Sequence, residues 1–265
     1  MIQYHVYPGG KKHILTFSYD DNPVQDERLV AMFNKYGVKG TFHLNCSDMS
    51  EEKIAYRREL YRGHEISCHT VLHGFLPHMP FATMVSETIR NREYLEKVAL
   101  YPVIGMSYPC GTYNREVIEA LRASGIVYSR TVASHKDFRL PDNFLAWDPT
   151  CHHKDAMPIA ERFLAGLDSR WTRPLFYIWG HAHELKTEED WAYMEKLVSM
   201  LSGNEKIWYA TNIEIYRYMQ AQKQLEISYD ETVFYNPSSL DLWVERDNRE
   251  ILMIPAGQTA VHPRA

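Results

Sequence analysis

From residue 13 to about residue 212, short runs of β-branched and aromatic residues alternate with longer stretches of helical period, and this alternation restricts the fold more than any other feature. HILTFSYD (13–20) reads as a strand, VQDERLVAMFNKYG (24–37) as a helix closed by Gly37, and GTFHLN (40–45) as the next strand. A helical stretch near 50–61 leads to the strand HEISCH (64–69), and one from about 81 to 98 leads to IGMSYP (104–109). NREVIEALRASG (114–125) reads as a helix with Gly125 at its end, followed by the strand IVYSRTV (126–132). LFYIWG (175–180), EEDWAYMEKLVSML (188–201) and IWYATN (207–212) continue as strand, helix and strand. Seven or eight such units require a parallel sheet covered by helices, which is the α/β class, and the count fits a closed (β/α) barrel better than an open doubly wound sheet. In such a barrel the chemistry belongs at the C-terminal ends of the strands.

After about residue 225 the pattern changes to short alternating runs, LEISYDETVFYN, SLDLWVE and EILMIPAG, separated by polar turn residues. The chain therefore divides into a barrel over 1–224 and a small C-terminal β extension over 225–265. That extension has three open roles: a cap on the barrel's bottom, an addition to the cleft, or a contact with another copy. With 265 residues, 45% of them hydrophobic, the chain has enough apolar surface for one large core. A formal charge of −5 gives no general attraction to nucleic acid or to an acidic membrane surface. No run reaches the length of a membrane span, and MIQYHVYPGGKKH has neither the apolar stretch nor the cleavage site of a secretory leader. A soluble, cytoplasmic protein is the expectation. Cys46, Cys68, Cys110 and Cys151 are widely spaced and read as free, reduced thiols.

Three polar clusters fall at the ends of these strands. The first strand ends in Tyr19, Asp20 and Asp21, the third in Cys68 and His69 with His73 four residues on, and LFYIWG in His181, Ala182 and His183. Three clusters on one barrel rim converge on one site. Imidazoles four residues apart share a face if HTVLH forms a helical turn, and they can then grip one ion. Each feature also has a plainer reading. A bare His-x-x-x-His arises by chance in a chain with 13 histidines, and Asp-Asp-Asn-Pro is good turn chemistry. In the functional reading one aspartate ligates a cation while its neighbour takes a proton from water.

These residues resemble the NodB-type polysaccharide deacetylases, carbohydrate esterase family four. That family's first motif, Thr-Phe-Asp-Asp-Gly, is similar to Thr16 and Phe17, a two-residue insertion of Ser18 and Tyr19, then Asp20, Asp21 and Asn22. The second, His-Ser/Thr-x-x-His, is matched without a gap by His69 to His73, and the last, an apolar strand ending in His, by LFYIWGH. The likeness runs from about residue 13 to about residue 212. It implies a NodB-like distorted barrel, Asp21, His69 and His73 as ligands of one divalent metal ion, Asp20 as general base and His181 as general acid, with His183 the competitor for that role. Zinc is the default ion, and cobalt, nickel, manganese or iron suit the same ligands.

Two motifs depart from the pattern. Where the family has Arg-x-Pro-Tyr/Trp-Gly, this chain has Ser107, Tyr108, Pro109, Cys110 and Gly111. The missing arginine would pair with the catalytic aspartate; Arg130, at the end of the next strand, is the candidate substitute, and a purely structural arginine is the alternative. The Cys110 amide keeps the place of an oxyanion donor. Asp-x-x-Asp-Trp survives only as Asp148, and the PTCHH run after it either brings His152 and His153 near the acid or is ordinary loop. Tyr19, Tyr108, Trp147 and Trp179 are candidates to stack on a sugar ring. The implied reaction is removal of an N-acetyl group from an amino sugar or polysaccharide. The rivals are a cytoplasmic hydrolase of a non-sugar amide and a catalytically silent carbohydrate-binding relative. The expected partners are thus a carbohydrate or small amide, without nucleic acid or membrane, and the sequence does not set the oligomeric state.

Overall fold

The computed structural model describes residues 1–45, 50–169, 174–247 and 249–264. The free-thiol expectation for Cys46 lies outside these residues, whereas Cys68, Cys110 and Cys151 are free thiols. The units run β1 (His13–Asp20), α1 (Asp26–Tyr36), β2 (Gly40–Leu44), α2 (Glu51–Leu60), β3 (Glu65–Cys68), α3 (Phe81–Ala99), β4 (Gly105–Ser107), α4 (Arg115–Ala123) and β5 (Tyr128–Arg130). They continue with β6 (Cys151–His152), α5 (Ala156–Ala165), β7 (Leu175–His181), α6 (Glu188–Leu201), β8 (Ile207–Tyr209) and α7 (Asn212–Lys223). Gly37 and Gly125, at φ +64° and +74°, follow α1 and α4, where a left-handed residue ends a helix at least cost.

The parallel sheet is ordered β5-β4-β3-β2-β1-β7-β6, with β8 also paired to β1. One edge of β1 is covered by β7 from Ile14 to Asp20, and the other is shared, β8 pairing with His13–Leu15 and β2 with Phe17–Asp20. A single parallel bridge between Arg130 and Trp147 joins β5 to the segment that continues into β6, so the ring closes through one residue. The result is the (β/α) barrel that the alternation implies, in the distorted form that the resemblance implies. Ser18 and Tyr19 do not disturb it. Two residues are one full pleat, so Asp20 still faces inward and pairs with His181.

Alternation along β1 separates two cores. Leu15, Phe17 and Tyr19 join the cluster formed with the helices, whereas Ile14 joins a second cluster with Tyr128, Trp147 and Tyr177. The second cluster also contains Phe234, Leu242, Val244, Leu252 and Ile254 of the C-terminal extension. That extension forms β9 (Glu226–Ile227), β10 (Val233–Tyr235) and β13 (Thr259–Val261) in one small sheet and the hairpin β11 (Leu242–Arg246) with β12 (Glu250–Ile254). Its apolar residues share a cluster with Ile14 and Leu175, which stand near the starts of β1 and β7, so it packs at the end of the barrel opposite the Asp20 rim.

The strand IWYATN stops at Tyr209, and Asn212 instead opens α7, with Thr211 and Glu214 forming a capping box. This helix starts against polar groups inside the barrel. The Asn212 amide donates to Thr41 Oγ1 at 2.9 Å and the Ile213 amide to Glu65 Oε2 at 2.9 Å, while the Tyr128 hydroxyl donates to Glu65 Oε1 at 2.6 Å. Burial outweighs these donors and pushes the Glu65 carboxyl up from 4.5 to about 7. A native state that holds the proton more tightly than the unfolded chain loses stability as pH rises from about 4.5 to about 7. Relative to Glu65→Gln, the wild-type protein is expected to lose up to about 3 kcal/mol of stability across that window, read from melting curves of the two proteins at each pH. Parallel curves for the two proteins would contradict the assignment.

Candidate active site

Asp20 and Asp21 leave β1 by different routes. Asp20 is the last inward residue of the strand, whereas Asp21 and Asn22 adopt φ +78° and +54°, a left-handed pair that turns the chain sharply at the rim. Asp and Asn carry this conformation more readily than other side chains, which is why the turn chemistry and the site coincide here. The turn brings Asp21 Oδ1 within 3.5 Å of His69 Nε2 and 3.6 Å of His73 Nε2. Asn45 Nδ2 donates to the same Oδ1 at 3.2 Å.

HTVLH is not a helical turn. Thr70 and His73 have φ of +60° and +49°, and the Thr70 hydroxyl oxygen accepts from the His73 amide at 3.1 Å. The two rings still meet, with centroids 4.7 Å apart. Side chains of α3 hold the loop: Glu87 Oε2 accepts from the Val71 and Leu72 amides at 3.2 and 2.9 Å, and Asn91 Oδ1 accepts from the His69 amide at 2.9 Å. Neither Glu87 nor Asn91 stands out in sequence, because both read as polar positions on a helix.

The three side chains suit a cation. Asp21, His69 and His73 each offer a ligand atom within 4.8 Å of the others. His69 Nδ1 lies 2.9 Å from the Ser107 carbonyl oxygen and donates to it, which leaves Nε2 as the lone-pair nitrogen facing Asp21. That Nε2 is buried and has no hydrogen-bond partner among the described residues. One carboxylate and two imidazoles are a donor set for zinc or a neighbouring transition metal.

Asp20 is buried and faces cations of its own. Ser107 Oγ donates to its Oδ1 at 3.0 Å, and Arg130 Nη2 donates to its Oδ2. Ser107 and Arg130 are register partners on β4 and β5, so the guanidinium reaches Asp20 from one strand further along the ring than Ser107 does. Arg130 has no exposed surface; its Nε donates to Ser18 Oγ at 3.1 Å, its Nη1 to the Thr131 carbonyl at 3.0 Å, and its guanidinium lies 4.6 Å from the centre of the Trp179 ring. Burial pushes the Asp20 carboxyl up, but Arg130, followed by His69, His43 and His181, outweighs it and holds the group well below the usual carboxylate range.

His181 Nε2 lies 3.9 Å from Asp20 Oδ2 and 3.8 Å from Asp21 Oδ2. Its Nδ1 faces Glu184 Oε2 at 3.5 Å. Burial lowers the affinity of this imidazole for its proton, and Glu184 followed by Asp20 and Asp21 raises it by more, for a net upward shift. Glu184 is a residue that sequence reasoning missed; the signal was a carboxylate three residues after a strand-end histidine, the spacing of a turn. His152 Nε2 reaches the same Glu184 oxygen at 2.8 Å, so PTCHH does lie beside His181. His183 is exposed, its ring centre 5.0 Å from that of His181.

The stacking candidates separate cleanly. Tyr19, Tyr108 and Trp147 are buried in the core, and the Tyr108 hydroxyl donates to the Leu145 carbonyl at 2.6 Å, so none of these three offers a face to a ligand. Trp179 is only partly buried and edges against His152 and His181, with ring centres 4.8 and 5.7 Å away. Cys110 is exposed, at φ +55°, in the turn that follows β4.

Fold and rim together define a (β/α) barrel with carboxylates and imidazoles gathered at the C-terminal strand ends. Residues 7–129 match the family profile described as polysaccharide deacetylase, which the chain resembles as a divergent member. Among solved structures, a Mycobacterium smegmatis protein classed with the polysaccharide deacetylases is 18% identical with a TM-score of 0.62, over 82% of this chain and 93% of that one. A peptidoglycan N-acetylglucosamine deacetylase is 17% identical with a TM-score of 0.54, covering 75% of this chain and 86% of its own. A family 4 acetyl xylan esterase from Clostridium thermocellum, solved with a cobalt ion, is 16% identical with a TM-score of 0.52, over 77% and 90% of the two chains. At these identities the likeness concerns the fold. No curated protein matches the sequence. Among the described residues, no helix is long and apolar enough to cross a membrane.

Proposed function

We propose that this protein is a metal-dependent amide hydrolase that removes the acetyl group from an N-acetylated sugar or polysaccharide. The observation that carries the reading is the pairing of Asp20 with Arg130 beside the Asp21, His69 and His73 cluster, because it restores to this rim the charged partner that position 107 lacks. Bound by Asp21, His69 and His73, a divalent cation would supply Lewis acidity, making water more acidic and polarising a carbonyl oxygen. Asp20, kept ionised and oriented by Arg130 and Ser107, takes the proton from the attacking water. His181, whose Nε2 faces both carboxylates and whose Nδ1 is turned toward Glu184, delivers a proton to the departing nitrogen. The Cys110 amide is the proposed donor to the oxyanion. Trp179 lies over Arg130 and presents the partly exposed ring against which a sugar would rest. Free amine and acetate are the products.

The burial of Tyr19, Tyr108 and Trp147 favours a second reading, a small non-sugar amide, since it leaves Trp179 as the sole survivor of the four stacking candidates. Acetate release by zinc-loaded protein from a panel of N-acetylated mono- and oligosaccharides, beside hydrolysis products measured by mass spectrometry for a panel of linear and cyclic amides, separates the two. Turnover confined to the sugars is expected. Turnover confined to the amides would move the substrate class, and no release from either panel would sink the hydrolase reading.

A further inference from the structure

Outside the cluster just described, His152, His153 and Glu184 also offer one ligand atom each within 4.8 Å of one another. Glu184 Oε2 is their common point, 2.8 Å from His152 Nε2 and 3.7 Å from His153 Nε2. An ion with four ligands at about 2.0–2.1 Å spaces neighbouring ligand atoms about 3.3 Å apart, and the two separations bracket that spacing. A hydrogen bond from His152 to Glu184 accounts for the first distance alone, and it leaves His153 unexplained.

His153 supplies the independent observation. Its side chain has no exposed surface, and both ring nitrogens are buried without a hydrogen-bond partner among the described residues. Buried polar atoms in native proteins are almost always satisfied, so an imidazole with two bare nitrogens calls for a ligand. The ring is also held in place. It stacks on Tyr19 with centroids 5.7 Å apart and planes 16° from parallel, and a Cβ at Gly180 would stand 2.1 Å from its Nδ1, so the glycine on β7 makes the room it occupies. His152 and Glu184 retain side-chain exposures of 18% and 22%, which leaves a route from solvent to an otherwise buried nitrogen. Lys154 Nζ lies 3.2 Å from Glu184 Oε1 and so occupies the other carboxylate oxygen.

We propose that His152, His153 and Glu184 form a second site for a divalent cation, separate from the Asp21 cluster and joined to it through His181, with zinc the ion best suited to two imidazoles and a carboxylate. The His181 ring stands between the two clusters, its Nε2 facing Asp21 at 3.8 Å and its Nδ1 facing Glu184 at 3.5 Å. An ion on Glu184 shares its carboxylate with the imidazole of the first site. Occupancy of one cluster therefore bears on the geometry of the other.

Zinc titration of the full chain tests this without reference to any acyl substrate, so its outcome is separable from that of the hydrolase reading. In an Asp21→Ala/His73→Ala background, which disables the first cluster, calorimetry is expected to find one equivalent of zinc bound per chain. Adding His153→Phe, which keeps the stacking on Tyr19, is expected to weaken that binding at least tenfold, and adding Glu184→Gln, on the partly exposed partner, to do the same. Circular dichroism and melting of each variant establish that it is folded. The proposal is overturned if the background protein binds no zinc, or if it binds zinc equally well with His153→Phe and Glu184→Gln in place.

Discussion

Replacing Arg130 with methionine is expected to destabilise the protein by about 3–5 kcal/mol, the cost of leaving a buried carboxylate without its partner. Arg130 is fully buried and donates to Asp20, to Ser18 Oγ and to the Thr131 carbonyl, and methionine replaces none of those donors. The apolar arm of methionine still packs against Trp179, so the change isolates the charge and the hydrogen bonds. Chemical denaturation measures the loss directly. The double variant Asp20→Asn/Arg130→Met should recover part of it, because it removes the uncompensated charge as well as its partner. A loss below about 1 kcal/mol, or losses that simply add in the double variant, would mean that the pairing is not what holds this part of the barrel.

Asp20→Asn is expected to lower kcat by about 10²–10⁴-fold, the range associated with loss of a general base. Asparagine has nearly the same shape and its side-chain oxygen can still accept from Ser107, so substrate binding and zinc content should change little while turnover collapses. That split between kcat and KM is the diagnostic. A variant that keeps its rate would place the base elsewhere, and one that loses zinc with its rate would make Asp20 a ligand.

The sequence carried the barrel because its strands and helices obey their own periods. β1 spans His13–Asp20 as read, and α6 spans Glu188–Leu201 as read, with Thr187 and Asp190 forming its capping box. Three elements did not announce themselves. β6 has two residues, too few to show alternation, and the ring closes through Trp147 alone, a contact that exists only in three dimensions. α5 (Ala156–Ala165) lies between loops and was not marked. α7 was hidden behind the apolar run IWYATN, although Thr211 and Glu214 spell a capping box that could have revealed it.

The site shows the same division. Proximity of Asp21, His69 and His73 follows from strand-end placement, but the helical turn assigned to HTVLH fails because Thr70 and His73 take left-handed backbone angles that pattern alone does not disclose. Sequence could put Arg130 at a strand end. It could not show that β5 lies beside β4 in a register that sets Arg130 next to Ser107 and lets it reach Asp20. Glu184 escaped for a related reason: its importance depends on a turn that folds it back against His181 and His152.

The most direct test of the account follows acetate release through removal and return of the metal. Chelation should abolish release from the best N-acetylated substrate, zinc should restore it in the wild-type chain, and zinc should fail to restore it in Asp21→Ala/His73→Ala. Release that persists unchanged after complete chelation, or that zinc restores equally in the double variant, would contradict the assignment of the reaction to this cluster.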